Sequence, residues 1–139
     1  MRSLVVEEFG EITGEDEMMA EIFARGPIAC LVNSEADSFD SYKGGIIQCN
    51  PDDELPGVCE YETDHVVVIA GWGVDFATGL NYWVGRNSYG TQWGEGAGGG
   101  WFRMERGRNT LGLEGDPCTW ATPHPDTVAV LNQAYEDSL

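Results

Sequence analysis

His65-Val66-Val67-Val68-Ile69-Ala70-Gly71-Trp72-Gly73 decides the fold. The run is β-branched, too short for a typical helix, and reads as a buried strand continuing toward its glycines. Working outward, a Gly-containing turn at 76–79 leads into Leu80-Asn81-Tyr82-Trp83-Val84, a second strong strand. A glycine-rich stretch to Gly100 is loop, and Trp101-Phe102-Arg103-Met104 is a further strand. Upstream, Gly44-Gly45-Ile46-Ile47 starts an extended piece, and Ile28 to Val32, bounded by Asn33-Ser34, suits a short strand. Thr13 followed by Asp16 marks a helix start, Met18, Met19, Ile22 and Phe23 share one helical face, and Gly26-Pro27 ends the helix. The expected class is α+β, mainly β: an antiparallel sheet or barrel behind one N-terminal helix. Residues 1–118 form the domain, and 119–139, with Pro123, Pro125 and the polar Glu136-Asp137-Ser138, read as a C-terminal tail.

At 139 residues the chain is about one domain, and its 42% hydrophobic content is enough for a core. The 19 Gly and six Pro exclude an architecture of long helices. Asp and Glu number 24 against seven Lys and Arg, a formal net charge of -17, which repels phosphate backbones and argues against a nucleic-acid partner. The acidic clusters Glu7 to Glu21 and Asp52 to Asp64 read as solvated surface, with adaptation to an acidic compartment as the second reading. No apolar run reaches the roughly 18 residues of a membrane span, so no membrane contact is expected. Met1 to Glu8 turns acidic after three apolar residues and does not resemble a secretory signal. There is no Asn-x-Ser/Thr acceptor.

His65 opens the strongest strand and Asn87 closes the next, 22 residues later. A hairpin can return both ends to one edge of a sheet. From the spacing alone, a satisfied structural His beside a turn Asn remains an equal reading.

The surrounding motifs change that balance. Asn87-Ser88-Tyr89-Gly90-Thr91-Gln92-Trp93-Gly94-Glu95 resembles the Asn-Ser-Trp-Gly-x-x-Trp-Gly-Glu segment of papain-like cysteine peptidases, and Asp64-His65-Val66-Val67 resembles their His strand. The likeness runs in order through Gly26-Pro27-Ile28, Tyr42-Lys43-Gly44-Gly45-Ile46, Ala70-Gly71-Trp72-Gly73 and Tyr82-Trp83-Val84-Gly85-Arg86, about four fifths of the chain. Met18-Met19-Ala20-Glu21-Ile22 before Gly-Pro looks most like the cathepsin X (or Z) branch. The resemblance implies the antiparallel, barrel-like C-terminal half of the papain-like fold, and a cysteine-type peptidase that needs no cofactor and no metal.

In such a site a thiolate attacks the peptide bond, and an imidazole first holds the nucleophile's proton and then delivers it to the leaving amine. By resemblance His65 has that role, and Asn87 orients its ring. Tyr89 stands where the family has a Trp covering the His/Asn hydrogen bond, and Trp93 matches the second Trp, on the leaving-group side. Asp64, through its backbone carbonyl, and the Val66 side chain match positions lining the cleft. Packing is the competing role for these aromatics, and the only one assigned to Trp72, Trp83 and Trp101.

The family's nucleophile lies in a Cys-Gly-Ser-Cys-Trp context at a helix start, and none of Cys30, Cys49, Cys59 and Cys118 has it. Four cysteines allow three pairings. Cys30 with Cys118 matches a disulfide of the cathepsin X branch, and Cys49 with Cys59 would then close the acidic loop, which implies an oxidising route of synthesis. A zinc site lacks both Cys-x-x-Cys and sufficient His. Gly94-Glu95-Gly96-Ala97-Gly98-Gly99 fits a dinucleotide pattern, with Glu114 20 residues on, but a strand rather than a helix follows it. The family has fewer residues here, so mobility is expected beside Trp93.

The expected protein is therefore part of a cysteine-type peptidase, inactive alone. Its partners would be an N-terminal nucleophile-bearing half, a peptide substrate, and a pro-segment or protein inhibitor. The compartment implied is lysosomal, vacuolar or extracellular. A non-enzymatic peptide- or inhibitor-binding half-domain, or a degenerate fragment, is the alternative. The face that would pack on the other half is expected to be apolar and prone to association.

Overall fold

The computed structural model describes residues 5–49 and 62–138. Among them, seven strands form one sheet: β1 (Val6–Ile12), β2 (Ile28–Val32), β3 (Ile46–Ile47), β4 (His65–Val74), β5 (Asn81–Arg86), β6 (Trp101–Glu105) and β7 (Cys118–Pro123), in the order β1-β7-β2-β4-β5-β6-β3. Neighbours are antiparallel except β3, which runs parallel to β6. The mainly-β α+β class holds, but the sheet is open rather than barrel-like. Its two edges, β1 and the two-residue β3, do not pair with each other.

Three α-helices accompany the sheet among the described residues, where one was expected: α1 (Glu15–Arg25), α2 (Asp37–Asp40) and α3 (Pro125–Glu136). In α1, Met18 is fully buried and Ile22 nearly so, whereas Phe23 is 86% exposed, so the apolar stripe is narrower than its sequence spacing predicts. The reciprocal contact at the helix start comes from Glu17, whose carboxylate accepts the Thr13 N–H at 3.0 Å, and not from Asp16. At the other end Gly26, at φ 101°, donates to the Ile22 carbonyl at 2.9 Å, and Pro27 prevents continuation.

Residues 119–139 begin as an interior strand rather than a tail. β7 lies between β1 and β2, with Ala29 opposite Thr119. The prolines punctuate instead of disordering: Pro123 ends β7 opposite Val6, and Pro125 opens α3 behind the capping His124. β1 is not legible as a strand in the sequence because, as an edge strand mostly in solvent, it keeps its acids; Phe9 is 82% exposed.

The core lies against one face of the sheet, with Met18, Phe39, Trp83, Phe102 and Met104 fully buried. Trp83 keeps its indole N–H satisfied by Glu114 Oε1 at 2.8 Å. The same carboxylate accepts the Gly107 N–H at 2.7 Å and the Asn109 N–H at 2.9 Å, so Glu114 organises the segment before β7. Glycine makes room where strands carry large rings: a Cβ at Gly85 would stand 2.1 Å from the Phe102 ring.

Cys30 and Cys118 form a disulfide between adjacent strands, closing a sequence separation of 88 residues. Cys59 lies outside the described residues, so the expected Cys49–Cys59 pairing does too. A loop that long restricts the unfolded chain strongly. The double variant Cys30→Ser/Cys118→Ser is expected to lose about 4–5 kcal/mol in denaturant unfolding. A loss below about 1 kcal/mol would show that the bridge does not restrain the unfolded chain.

Candidate active site

The β4–β5 register determines which side chains can meet. Val68 opposes Arg86, so continuing the antiparallel ladder by one residue sets Val67 against Asn87. His65, two residues before Val67, shares its face. His65 and Asn87 are thus diagonal neighbours on the core-side face, at the strand ends, with Val66 on the opposite face.

The His65 Nε2 to Asn87 Oδ1 distance is 2.8 Å. The Ser88 backbone N–H donates to the same Oδ1 at 2.7 Å, and because a backbone N–H can only donate, the atom facing it must be the amide oxygen. Oδ1 in turn can only accept, so Nε2 carries a proton and the neutral ring presents the Nδ1 lone pair. Asn87 is buried, and its Nδ2 has no partner among the described residues.

Aromatic rings lie against His65. The Tyr89 ring lies 5.0 Å from the His65 ring at a 33° tilt and is 41% exposed, so it covers the imidazole from the solvent side. Phe39 meets His65 edge-on at 6.3 Å and also contacts Tyr89, Trp93 and Phe102. Trp93 is buried, and its indole N–H is shared between the carbonyls of Phe39 at 3.1 Å and Asp40 at 3.0 Å, fixing the end of α2. Phe39 escaped the sequence reading. The available signal was a single large apolar residue inside Glu35-Ala36-Asp37-Ser38-Phe39-Asp40.

Asp64 directs its carboxylate away from this cluster, to the Ser34 N–H at 2.8 Å. That hydrogen bond holds its pKa below the ordinary carboxylate value. Val66 is 56% exposed on the outer face beside the more buried Leu31, its partner in register. Trp72 packs edge-on against Trp83, and Trp101 lies under the Arg86 guanidinium, both as packing residues. The stretch 94–100 leads into β6, not a helix, and Glu114 is occupied in the core, so the dinucleotide pattern has no structural counterpart. The expected mobility beside Trp93 meets a closed loop: Glu95 pairs with Trp101 as a β-bridge and binds Arg103 at 2.6 Å. Among the described residues no group of three or more His, Cys, Asp or Glu could hold a metal ion.

The papain family cysteine protease model matches residues 3–121. The chain belongs to the papain family of cysteine peptidases. Cathepsin Z of Onchocerca volvulus is 38% identical over 125 residues, covering 85% of this chain and 37% of that protein. A cysteine protease of Blomia tropicalis is 32% identical over 112 residues, covering 79% of this chain and 29% of that one. The chain therefore spans less than two fifths of either relative. Among solved structures of the family, the bromelain protease from Ananas comosus, bound to an inhibitor, superposes with a TM-score of 0.69 at 25% identity, covering 86% of this chain and 51% of that one. A structure concerning the mite allergens Blo t 1 and Der p 1 gives 0.68 at 30% identity, covering 84% and 35%.

Two outcomes test this geometry. Trp93→Phe keeps an aromatic side chain but removes the indole N–H with both its hydrogen bonds and part of the buried ring volume, and is expected to lower unfolding stability by about 2–3 kcal/mol, while an unchanged value would show that the end of α2 is held otherwise. Arg103 holds the Glu95 pKa below its ordinary 4.5. The contribution of that pair is therefore full above the unfolded value and lost as pH falls through the lower folded one. Wild type and Glu95→Gln should differ in stability at neutral pH and converge as pH falls below the ordinary carboxylate range; a constant difference as the pH is lowered would refute the assignment.

Proposed function

We propose that this chain supplies the proton-transfer half of a papain-type cysteine peptidase, with His65 as partner of a thiolate and Asn87 as the residue fixing its ring. Asp64, through its backbone carbonyl, and Val66, from the outer face, would border the substrate cleft together with Tyr89, and the buried Trp93 would back them from the core side. The observation carrying this reading is the 2.8 Å Nε2 to Oδ1 contact, with the amide oriented by Ser88, in a chain of this family. That contact leaves Nδ1 as the nitrogen that exchanges protons. It takes the thiol proton, and the thiolate adds to the substrate carbonyl carbon. The C–N bond then breaks as Nδ1–H protonates the amine, and water releases the acyl group after giving its proton back to Nδ1.

The thiolate would come from residues other than these. Cys30 and Cys118 are joined to each other, and neither Cys49 nor Cys59 stands in the family's nucleophile context. An N-terminal half bearing Cys-Gly-Ser-Cys-Trp, in the same precursor or another chain, would complete the site, and a pro-segment or protein inhibitor would occupy the same cleft. The Cys30–Cys118 bridge supports an oxidising route of synthesis, and with the family supports a lysosomal, vacuolar or extracellular destination. No helix among the described residues is long and apolar enough to cross a membrane.

A second reading, a binding half-domain or degenerate copy, draws on exposed Val66 and Val68 beside the site. The two separate by transcript sequence upstream of Met1, where an open frame with the nucleophile motif supports the enzyme. Incubated alone with a fluorogenic peptide, thiol and mildly acidic buffer, the chain is expected to give no alkylator-sensitive turnover. Produced with its N-terminal half it should give turnover that His65→Ala reduces by about 10²–10⁴-fold. Alkylator-sensitive turnover by the chain alone, or full activity of assembled His65→Ala, would overturn the proposal.

A further inference from the structure

The stretch Gly94 to Gly100 joins two places that the site depends on. Gly100 donates its N–H to the Trp93 carbonyl at 2.7 Å, and its own carbonyl accepts the Asn87 N–H at 2.8 Å. One buried glycine thus holds the backbone of the residue that orients His65 and the backbone of the residue that fixes α2. Gly99 is bonded to the Gly96 carbonyl at 3.1 Å and presses on the chain that follows Asn87: a Cβ there would stand 2.1 Å from the Thr91 carbonyl oxygen, a backbone atom with little freedom to yield. Gly98 has a comparable left-handed backbone, φ 82° against 66°, but a Cβ on it would meet nothing within 4 Å. The two glycines share a positive φ and differ in whether a methyl group must displace the strap.

We propose that Gly100, seated by the Gly99–Thr91 contact, is a positioning residue for the His65–Asn87 pair: the glycine strap sets Asn87 at the height where its Oδ1 meets Nε2. The proposal rests on reading that pair as the proton-transfer site, but its readout is the ring itself and not peptide hydrolysis. Failure of the strap and failure of the peptidase reading are therefore separately visible. Relieving the Gly99 clash requires a shift of about 1 Å, enough to carry a 2.8 Å hydrogen bond past its limit of about 3.2 Å. Loss of the Gly100 carbonyl frees the Asn87 N–H and lets the amide move away from the imidazole.

The experiment uses the full chain and histidine ring NMR, which is tractable because there are only two His, with His124 as internal reference. Wild type and Gly98→Ala should both show His65 as the Nε2–H tautomer with a slowly exchanging ring proton. Gly99→Ala should show mixed tautomers and ring-proton exchange faster by about tenfold, the worth of one hydrogen bond. His65 behaving identically in Gly99→Ala and Gly98→Ala would overturn the proposal. Should Gly99→Ala not fold, amide exchange in the wild type decides. The Asn87 and Gly100 amides exchanging together, and more slowly than Gly98, supports the strap; Asn87 protected while Gly100 exchanges as fast as Gly98 overturns it.

Discussion

The antiparallel pairing of β4 with β5 carries the site, because side-chain direction in a strand alternates strictly and register alone decides which residues share a face. With Val68 opposite Arg86, His65 and Asn87 point the same way, and the core residues Val67, Ile69 and Trp83 point with them. A slip by one residue would bury Val66 and Val68 and turn the imidazole to the outer face. The apolar set that must be buried is therefore the same constraint that aims the histidine. β2 adds to it from the other side, with Val32 opposite His65, and the Cys30–Cys118 bridge ties β2 to β7.

Glycine provides the second constraint. In three strand pairs a ring from one strand lies across a glycine on its neighbour: Phe102 across Gly85, Tyr82 across Gly73 and Trp120 across Gly10. Each absent side chain allows an aromatic to fold flat onto the sheet, which is how a small domain keeps so much ring surface out of water. The glycines after Trp93 act differently, through positive φ and close backbone contact, and they return the chain to β6 within hydrogen-bonding reach of Asn87.

How much of this was legible follows from the same physics. β2, β4, β5 and β6 are buried on at least one face, so their β-branched and aromatic patterns survive in the sequence. The motif around Asn87 is likewise local in sequence, so it marks the pair without any knowledge of the tertiary structure. β1 and β7 were not read as strands. Their outer faces meet water, and their partners lie more than a hundred residues apart along the chain, so neither composition nor local alternation announces the pairing. Barrel closure was expected because short antiparallel strands with glycine turns fit a barrel and an open sheet equally. What separates them is whether the edges meet, which is a tertiary fact. Phe39 was hidden because the significance of one ring in an acidic segment depends on α2 being held by the Trp93 indole.

The choice of an amide at position 87 is itself informative about charge. An aspartate there could accept both the Ser88 N–H and the Nε2–H, and it would leave no unpartnered donor, whereas Asn87 leaves Nδ2 without a partner among the described residues. The aspartate would, however, place a negative charge at a buried position in a chain already at -17. Such a charge would also bind the ring's proton by electrostatics whatever the state of Nδ1. The neutral amide fixes the ring's direction without fixing its charge. Within this chain's electrostatics, orientation and protonation are thereby separated, which is what the role proposed for His65 requires.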